Sequence, residues 1–363
     1  MQIIKNQSHP IAWALYRLPY TNHPTLIMQT EGTVEILSSY TALNEKEGFV
    51  IAPFEINSQK PVVLIHPNQT AKGWEEIEKY SFQQNFSLSK LTFDRTLYPE
   101  KEDPFVYKRA FYHFIKALRK KQFHKLVLSR RSIMPTPSDF SPLETFKKAC
   151  QRYPHLMVYQ CYTPKTGMWM GSSPEIILSG KETQWHTVSL AGTMPINNHE
   201  LPHIWSHKNS MEQQYVSDYL RSILQSIGTI TKEEGPYPAQ AGKLAHLKTD
   251  FYFTLSSSKH IGDLLSILHP TPAICGLPKE KAYQFILEEE GYPRHYYGGF
   301  IGKISPSSYT DLYVNLRCME LTGEKTVLYA GGGILAESEY ESEYKESKAK
   351  METMKSILYS SSS

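Results

Sequence analysis

Apolar positions along the chain follow two different periods. Short apolar runs bounded by polar turn residues predict strands at Thr25 to Met28, Gly48 to Phe54 and Pro61 to His66. From Pro104 the spacing changes. Phe111, Phe114, Ile115 and Leu118 recur at steps of three and four with Lys and Arg between them, which gathers them on one helix face. Asp103-Pro104 would cap and open that helix. It leads into an apolar strand beginning at Lys125, and further strands are predicted at Leu156 to Tyr162, Met168 to Gly171, Glu175 to Leu178 and Thr187 to Leu190. A helix from Ser210 to Ile227 comes next. Beyond a polar stretch, strands are expected at His295 to Ile304, Asp311 to Leu321 and Thr326 to Ala330, with a closing helix from Glu339 to Leu358. Many strands in succession with a few long helices predict an α+β fold, a large and mostly antiparallel sheet assembly flanked by helices. Residues 1–103 read as a strand-rich part of the same fold and 359–363 as a disordered serine tail. No repeat or low-complexity linker divides the rest, so one structural domain is expected.

Composition narrows the function classes. A chain of 363 residues with 40% hydrophobic and 21% charged content can bury a sizeable core. Its net charge is only +3, with Lys and Arg scattered among Asp and Glu, so no basic face suits a nucleic-acid backbone. Cys150, Cys161, Cys275 and Cys318 are widely spaced, which suggests neither a zinc site nor a disulfide framework. The amino terminus, Met1 to Pro19, carries only a short apolar patch from Ile11 to Leu15. No stretch approaches the length of a membrane span. A soluble, cytoplasmic monomer with no membrane or nucleic-acid partner is the expectation.

Five ionisable residues stand out by position. Lys125 stands at the head of Lys125-Leu126-Val127-Leu128-Ser129-Arg130, where a lysine would ordinarily be a solvated charge at an element boundary. Glu175 ends Gly171-Ser172-Ser173-Pro174-Glu175, a proline-led turn that hands a carboxylate to a strand. Glu212 shares a helix face with Val216 and Leu220 and should turn inward. Glu346 and Lys350 form an i,i+4 pair, usually a solvated link worth ~0.3 kcal/mol. Here the stripe turns apolar at Met354 and Ile357, so it can point inward. Two inward carboxylates on separate helices are costly unless a cation neutralises them, and oxygen ligands alone favour Mg²⁺ over zinc. Glycines in Leu190-Ala191-Gly192-Thr193 and Tyr329-Ala330-Gly331-Gly332-Gly333-Ile334 allow an anion close to main-chain N–H groups. Neither has the spacing of a nucleotide loop.

These segments, with His246-Leu247-Lys248-Thr249, His269 to Gly276, Tyr297-Gly298-Gly299, Leu316-Arg317-Cys318 and Glu343 to Lys350, occur in an order that resembles the chorismate-utilising enzymes. That family includes the isochorismate, salicylate, anthranilate and aminodeoxychorismate synthases. The resemblance covers residues 104–358 and implies the anthranilate synthase component I-like fold, with that region binding chorismate. Within the family, lysine at the Lys125 position marks the members that add water, where ammonia-using members carry glutamine. Water needs a base at neutral pH, and ammonia does not.

The resemblance therefore implies an Mg²⁺-dependent isochorismate synthase. Lys125 would activate water for attack at C2 of chorismate, and Glu175 would protonate the departing C4 hydroxyl. Glu212 and Glu346 match the acidic magnesium positions. Arg317, Tyr297 and main-chain groups near Gly331 match the holders of the enolpyruvyl carboxylate, Lys350 and Gly192 match contacts near the other carboxylate, and Ile274 lies near the ring. No amidotransferase subunit is expected, and the product would feed menaquinone or catechol siderophore synthesis. A salicylate synthase, which goes on to eliminate pyruvate, and a non-catalytic chorismate-binding module are the alternatives. The chain departs from many relatives at Gln213, where histidine is common, and at Met194-Pro195-Ile196, which lacks basic residues often found there.

Overall fold

The structure, a computed structural model, describes residues 10–80, 98–100, 103, 105–196 and 200–359. Pro104, the first nine residues of the amino-terminal segment and the last four serines lie outside the described residues.

Two nine-stranded sheets stack face to face. The first runs in the order β14 (Gly276–Leu277), β7 (Lys125–Pro135), β18 (Lys325–Ile334), β17 (Cys318–Leu321), β9 (Gly167–Ser173), β8 (Met157–Thr163), β1 (Ala12–Arg17), β2 (Thr25–Gln29) and β6 (Gln69–Lys72). The second runs β12 (Thr229–Ala241), β13 (Leu244–Thr254), β11 (Gln184–Pro195), β10 (Ile176–Lys181), β16 (Thr310–Val314), β15 (Phe300–Ile304), β4 (Gly48–Ala52), β5 (Val62–Ile65) and β3 (Glu35–Leu37). The strand pairs are antiparallel.

Side-chain alternation explains the layering. Along β1, Ala12, Ala14 and Tyr16 point between the sheets onto Phe49, Ile51 and Ile65, whereas Trp13 and Leu15 point outward. The outward set packs against Phe146 and Ala149 of helix Pro142–Arg152 and Met351, Met354 and Ile357 of helix Tyr340–Leu358. The second sheet does the same: Val50, Ala52, Val62 and Leu64 meet Val216, Leu220 and Leu224 of helix His207–Ile227 and Leu264 and Leu265 of helix Ile261–Leu268. The result is helix, sheet, sheet, helix. Each large apolar side chain taken from water contributes about 1.5–3 kcal/mol.

Two junctions place the chemistry. Between β9 and β10 the chain leaves one sheet for the other, and Pro174-Glu175 is the crossing. The apolar run from Asp311 to Leu321, expected as one strand, is two. It breaks at Asn315-Leu316-Arg317, where Arg317 adopts a left-handed φ of 47° and the chain again changes sheets, from β16 to β17. The stretch from His295 is likewise only partly extended, since β15 begins at Phe300. The Ile11 to Leu15 patch is the interior strand β1, flanked by β8 and β2. The polar stretch holds the β12–β13 hairpin and helices Ile261–Leu268 and Lys279–Glu289. All four cysteines are free thiols. Among the described residues no helix is long and apolar enough to cross a membrane.

Candidate active site

One cavity, where both sheets and two helices contribute, is lined by Glu175, Gly192, Glu212, Ile274, Tyr297, Arg317, Gly331 and Lys350. Lys125 and Glu346 contact that lining, Lys125 through Glu212 and Glu346 through Lys350. The triple glycine of β18 lies opposite Ser129, Leu128 and Val127 of β7, and each glycine makes room for a different group. A Cβ on Gly331 would come within 2.7 Å of the Tyr297 hydroxyl, and one on Gly332 would lie 3.2 Å from Glu346 Oε1. On Gly333 it would overlap Glu212 Oε1 and crowd Lys125 Cε. The glycines therefore let three acidic and basic side chains close over bare backbone.

Lys125, the first residue of β7, is completely buried, and its Nζ lies 3.2 Å from Glu212 Oε1. The approach is off-line, and Nζ makes no well-aligned hydrogen bond. Burial lowers the pKa of its ammonium, with the Glu212 and Glu175 charges opposing and the Lys350 charge assisting. Burial would raise the Glu212 carboxyl, yet the surrounding Lys125, Lys208 and Lys350 charges hold it below its usual range. Glu175 behaves oppositely. Burial pushes its carboxyl up to about 8 against the pull of Lys125 and Lys350, so it is largely protonated at neutral pH. Its backbone is fixed at the sheet crossing, donating from N–H to Ser173 Oγ (3.3 Å) and accepting from Val314 N–H (2.9 Å). The cavity thus holds a buried amine made less basic and a buried carboxyl made less acidic.

The opposite end is cationic. Arg317 donates to His246 Nε2 at 2.7 Å and to Thr353 Oγ1 at 3.1 Å, and among the described residues no carboxylate pairs with it. Burial lowers its pKa to about 10, which leaves it charged at neutral pH. His246 donates from Nδ1 to Gly192 O at 2.9 Å, which leaves Nε2 free to accept from Arg317. Burial, then the Arg317 and Lys350 charges, keep the ring neutral. Lys350 donates to Gly331 O (2.9 Å) and Glu346 Oε1 (2.7 Å). Tyr297 stacks on Tyr329 with centroids 5.5 Å apart. This end can receive a carboxylate on a planar guanidinium.

Sequence reasoning assigned no role to His246, Glu343 or Lys208. His246 lay inside a recognised segment, Glu343 lies three residues before Glu346, and Lys208 four before Glu212. Glu343 Oε1 accepts from Lys208 Nζ at 2.6 Å and Ser338 Oγ at 2.7 Å, while its buried Oε2 has no partner. Burial raises the Glu343 carboxyl, Lys208 opposes this and Glu346 adds to it. Among the described residues no three metal-ligating side chains are already gathered in a cluster. The donor set still suits Mg²⁺, which binds through one or two carboxylates and keeps water or substrate oxygens as its other ligands; the orphaned Glu343 oxygen is the free acceptor such an ion needs. Gln213 turns away from this cluster, its Nε2 reaching Thr249 Oγ1 (3.1 Å), Ser189 O (3.3 Å) and Ser217 Oγ (3.3 Å), so it ties the Glu212 helix to β11 and β13.

Comparison with known proteins places the chain in a family. A family model described as chorismate binding enzyme matches residues 36–359, further toward the amino terminus than the ordered motifs reach. Isochorismate synthase DhbC of Bacillus subtilis is 25% identical over 335 residues, spanning 88% of this chain and 83% of that protein. A salicylate biosynthesis isochorismate synthase of Pseudomonas aeruginosa is 27% identical over 252 residues, or 67% of this chain, and the match spans only 52% of that relative. The solved menaquinone-specific isochorismate synthase MenF of Escherichia coli shares the fold, with a TM-score of 0.78 over 97% of this chain and 89% of that one at 19% identity.

Proposed function

Because the chain belongs to the chorismate-binding enzymes, we propose that it is an isochorismate synthase, transposing the allylic hydroxyl of chorismate from C4 to C2. The observation that carries this reading is the opposed pair in one cavity, the buried amine of Lys125 shifted down and the buried carboxyl of Glu175 shifted up to about 8. Burial that draws a lysine down and a carboxyl up, each toward neutral pH, suits the first to act as a base and the second as an acid. Neutral Lys125 takes a proton from water as its oxygen bonds to C2. The ring double bonds shift, the C4–O bond breaks, and protonated Glu175 delivers its proton to the leaving hydroxyl, which departs as water. No ammonia enters, and Lys125 has no use for an amidotransferase.

Arg317, oriented by neutral His246, receives the enolpyruvyl carboxylate with Tyr297 and the Gly331 backbone beside it. Lys350 and Gly192 flank the ring carboxylate, and Ile274 borders the ring. Glu212 and Glu346, with Glu343, would hold Mg²⁺. When bound, the ion supplies positive charge that neutralises the ring carboxylate and fixes its orientation. The test is product analysis by liquid chromatography after incubating the protein with chorismate and Mg²⁺ in the absence of ammonia. Isochorismate alone is expected; salicylate with pyruvate moves the chain to the lyase reading, and activity only with added ammonia overturns the role of Lys125.

A further inference from the structure

Each carboxylate of the acid cluster is matched to its own lysine: Glu212 to Lys125 at 3.2 Å, Glu343 to Lys208 at 2.6 Å and Glu346 to Lys350 at 2.7 Å. Two of these lysines have other work. Lys125 is placed for proton transfer, and Lys350 is anchored on Gly331 O. Lys208 has only Glu343 as a hydrogen-bond partner among the described residues. It sits in the first turn of helix His207–Ile227, where the helix dipole disfavours a cation. The acid cluster compensates for that placement, since the charges of Glu212, Glu343 and Glu346 all act on its ammonium. Glu343 meanwhile keeps a buried oxygen without a partner, so one ammonium leaves its carboxylate half satisfied.

We propose that Lys208 is a built-in counter-ion for the acid cluster, occupying Glu343 in the metal-free protein and giving way when a divalent cation binds, so that it sets the cation affinity. The inference rests on the magnesium reading given above. An ammonium and Mg²⁺ drawn to the same carboxylate repel one another, so each weakens the other's hold on Glu343. The Lys208 side chain is 20% exposed while that of Glu343 is 2% exposed, so the lysine has a way out to solvent and the carboxylate does not. Its release lets the carboxylates exchange a monovalent for a divalent cation without ever being left buried and uncompensated.

The experiment is thermal unfolding of chelator-treated wild type, Lys208→Met and Lys208→Gln as MgCl₂ is added, without chorismate. Both variants are expected to reach half-maximal stabilisation at about tenfold lower Mg²⁺ than wild type. An unchanged or higher midpoint in either folded variant overturns the proposal and leaves the magnesium reading standing. No stabilisation of wild type by Mg²⁺ removes the magnesium reading and the proposal with it. Acetylation of wild-type lysines read by mass spectrometry decides the matter independently of whether the variants fold. Lys208 labelling should rise when Mg²⁺ is added, and labelling that stays level or falls contradicts its displacement.

Discussion

Two buried cation–carboxylate pairs flank the same strand, β7, and they are built differently. Arg294 and Glu290 form a two-point pair with both contacts at 2.6 Å. The guanidinium also donates to Ile274 O at 2.7 Å and Val127 O at 2.8 Å, and Glu290 Oε1 accepts from Ser129 N–H at 2.6 Å. Lys125 and Glu212, at the head of the strand, meet off-line with no other hydrogen bond to Nζ. The saturated pair clamps β7 against the loop that carries Ile274. The unsaturated pair leaves a buried amine whose pKa burial lowers against the pull of Glu212 and Glu175. Buried charge serves structure where its hydrogen bonds are complete and chemistry where they are not.

Breaking the unsaturated pair should cost function most. Lys125→Ala is predicted to lower isochorismate formation by roughly 100-fold or more, the worth of a positioned base, while Mg²⁺-dependent binding of chorismate persists in calorimetry. Wild-type turnover in that variant would take Lys125 out of the mechanism. Breaking the saturated pair should cost stability instead. Glu290→Ala leaves a buried guanidinium uncompensated and should destabilise by about 3–5 kcal/mol in urea unfolding. A loss below 1 kcal/mol would show that the clamp is dispensable.

A smaller effect sharpens the comparison at its contact point. Gly333→Ala places a methyl against Glu212 Oε1 and Lys125 Cε, and should cost about 1–3 kcal/mol together with much of the turnover. Wild-type kinetics would mean that the Lys125–Glu212 contact is unimportant. The mildest prediction concerns pH. The folded carboxyl of Glu175 titrates at about 8, above its ordinary value of 4.5. Between those two points the unfolded chain gives up the proton and the folded chain keeps it, so wild-type stability should fall as pH rises through that window. Glu175→Gln removes this slope, and its stability relative to wild type should increase from about pH 5 to about pH 8 in urea titrations. Parallel curves would place Glu175 in an ordinary, solvated setting.

Much of this was legible in the sequence, for identifiable reasons. Helices with one apolar stripe, such as Val106–Arg119 and His207–Ile227, announce themselves by period. So do strands bounded by turn residues, and the inward face of Glu212 followed from its spacing. Strand β1 did not declare itself. It is buried on both faces, so its continuous apolar run has no alternation to read. Nor could spacing reveal the break at Arg317, because the residues on either side keep an apolar character and the turn is imposed by the passage between sheets. Helix Pro142–Arg152, with Ser141 as its cap, was missed among polar neighbours. In the site, the ordered motifs singled out residues that line one cavity or touch its lining, and the i,i+4 pair of Glu346 and Lys350 was legible, but pairing between distant segments was not. That His246 holds Arg317, and Lys208 holds Glu343, depends on contacts between residues 71 and 135 positions apart.

The proposed chemistry turns on one site keeping an acid protonated beside a lysine made less basic. Difference infrared spectroscopy of metal-free wild type against Glu175→Gln, followed through the carboxyl stretch as pH is raised, tests it directly. A protonated Glu175 band should still be present at neutral pH and be lost with a midpoint near 8. A band that disappears near the ordinary 4.5 would contradict it.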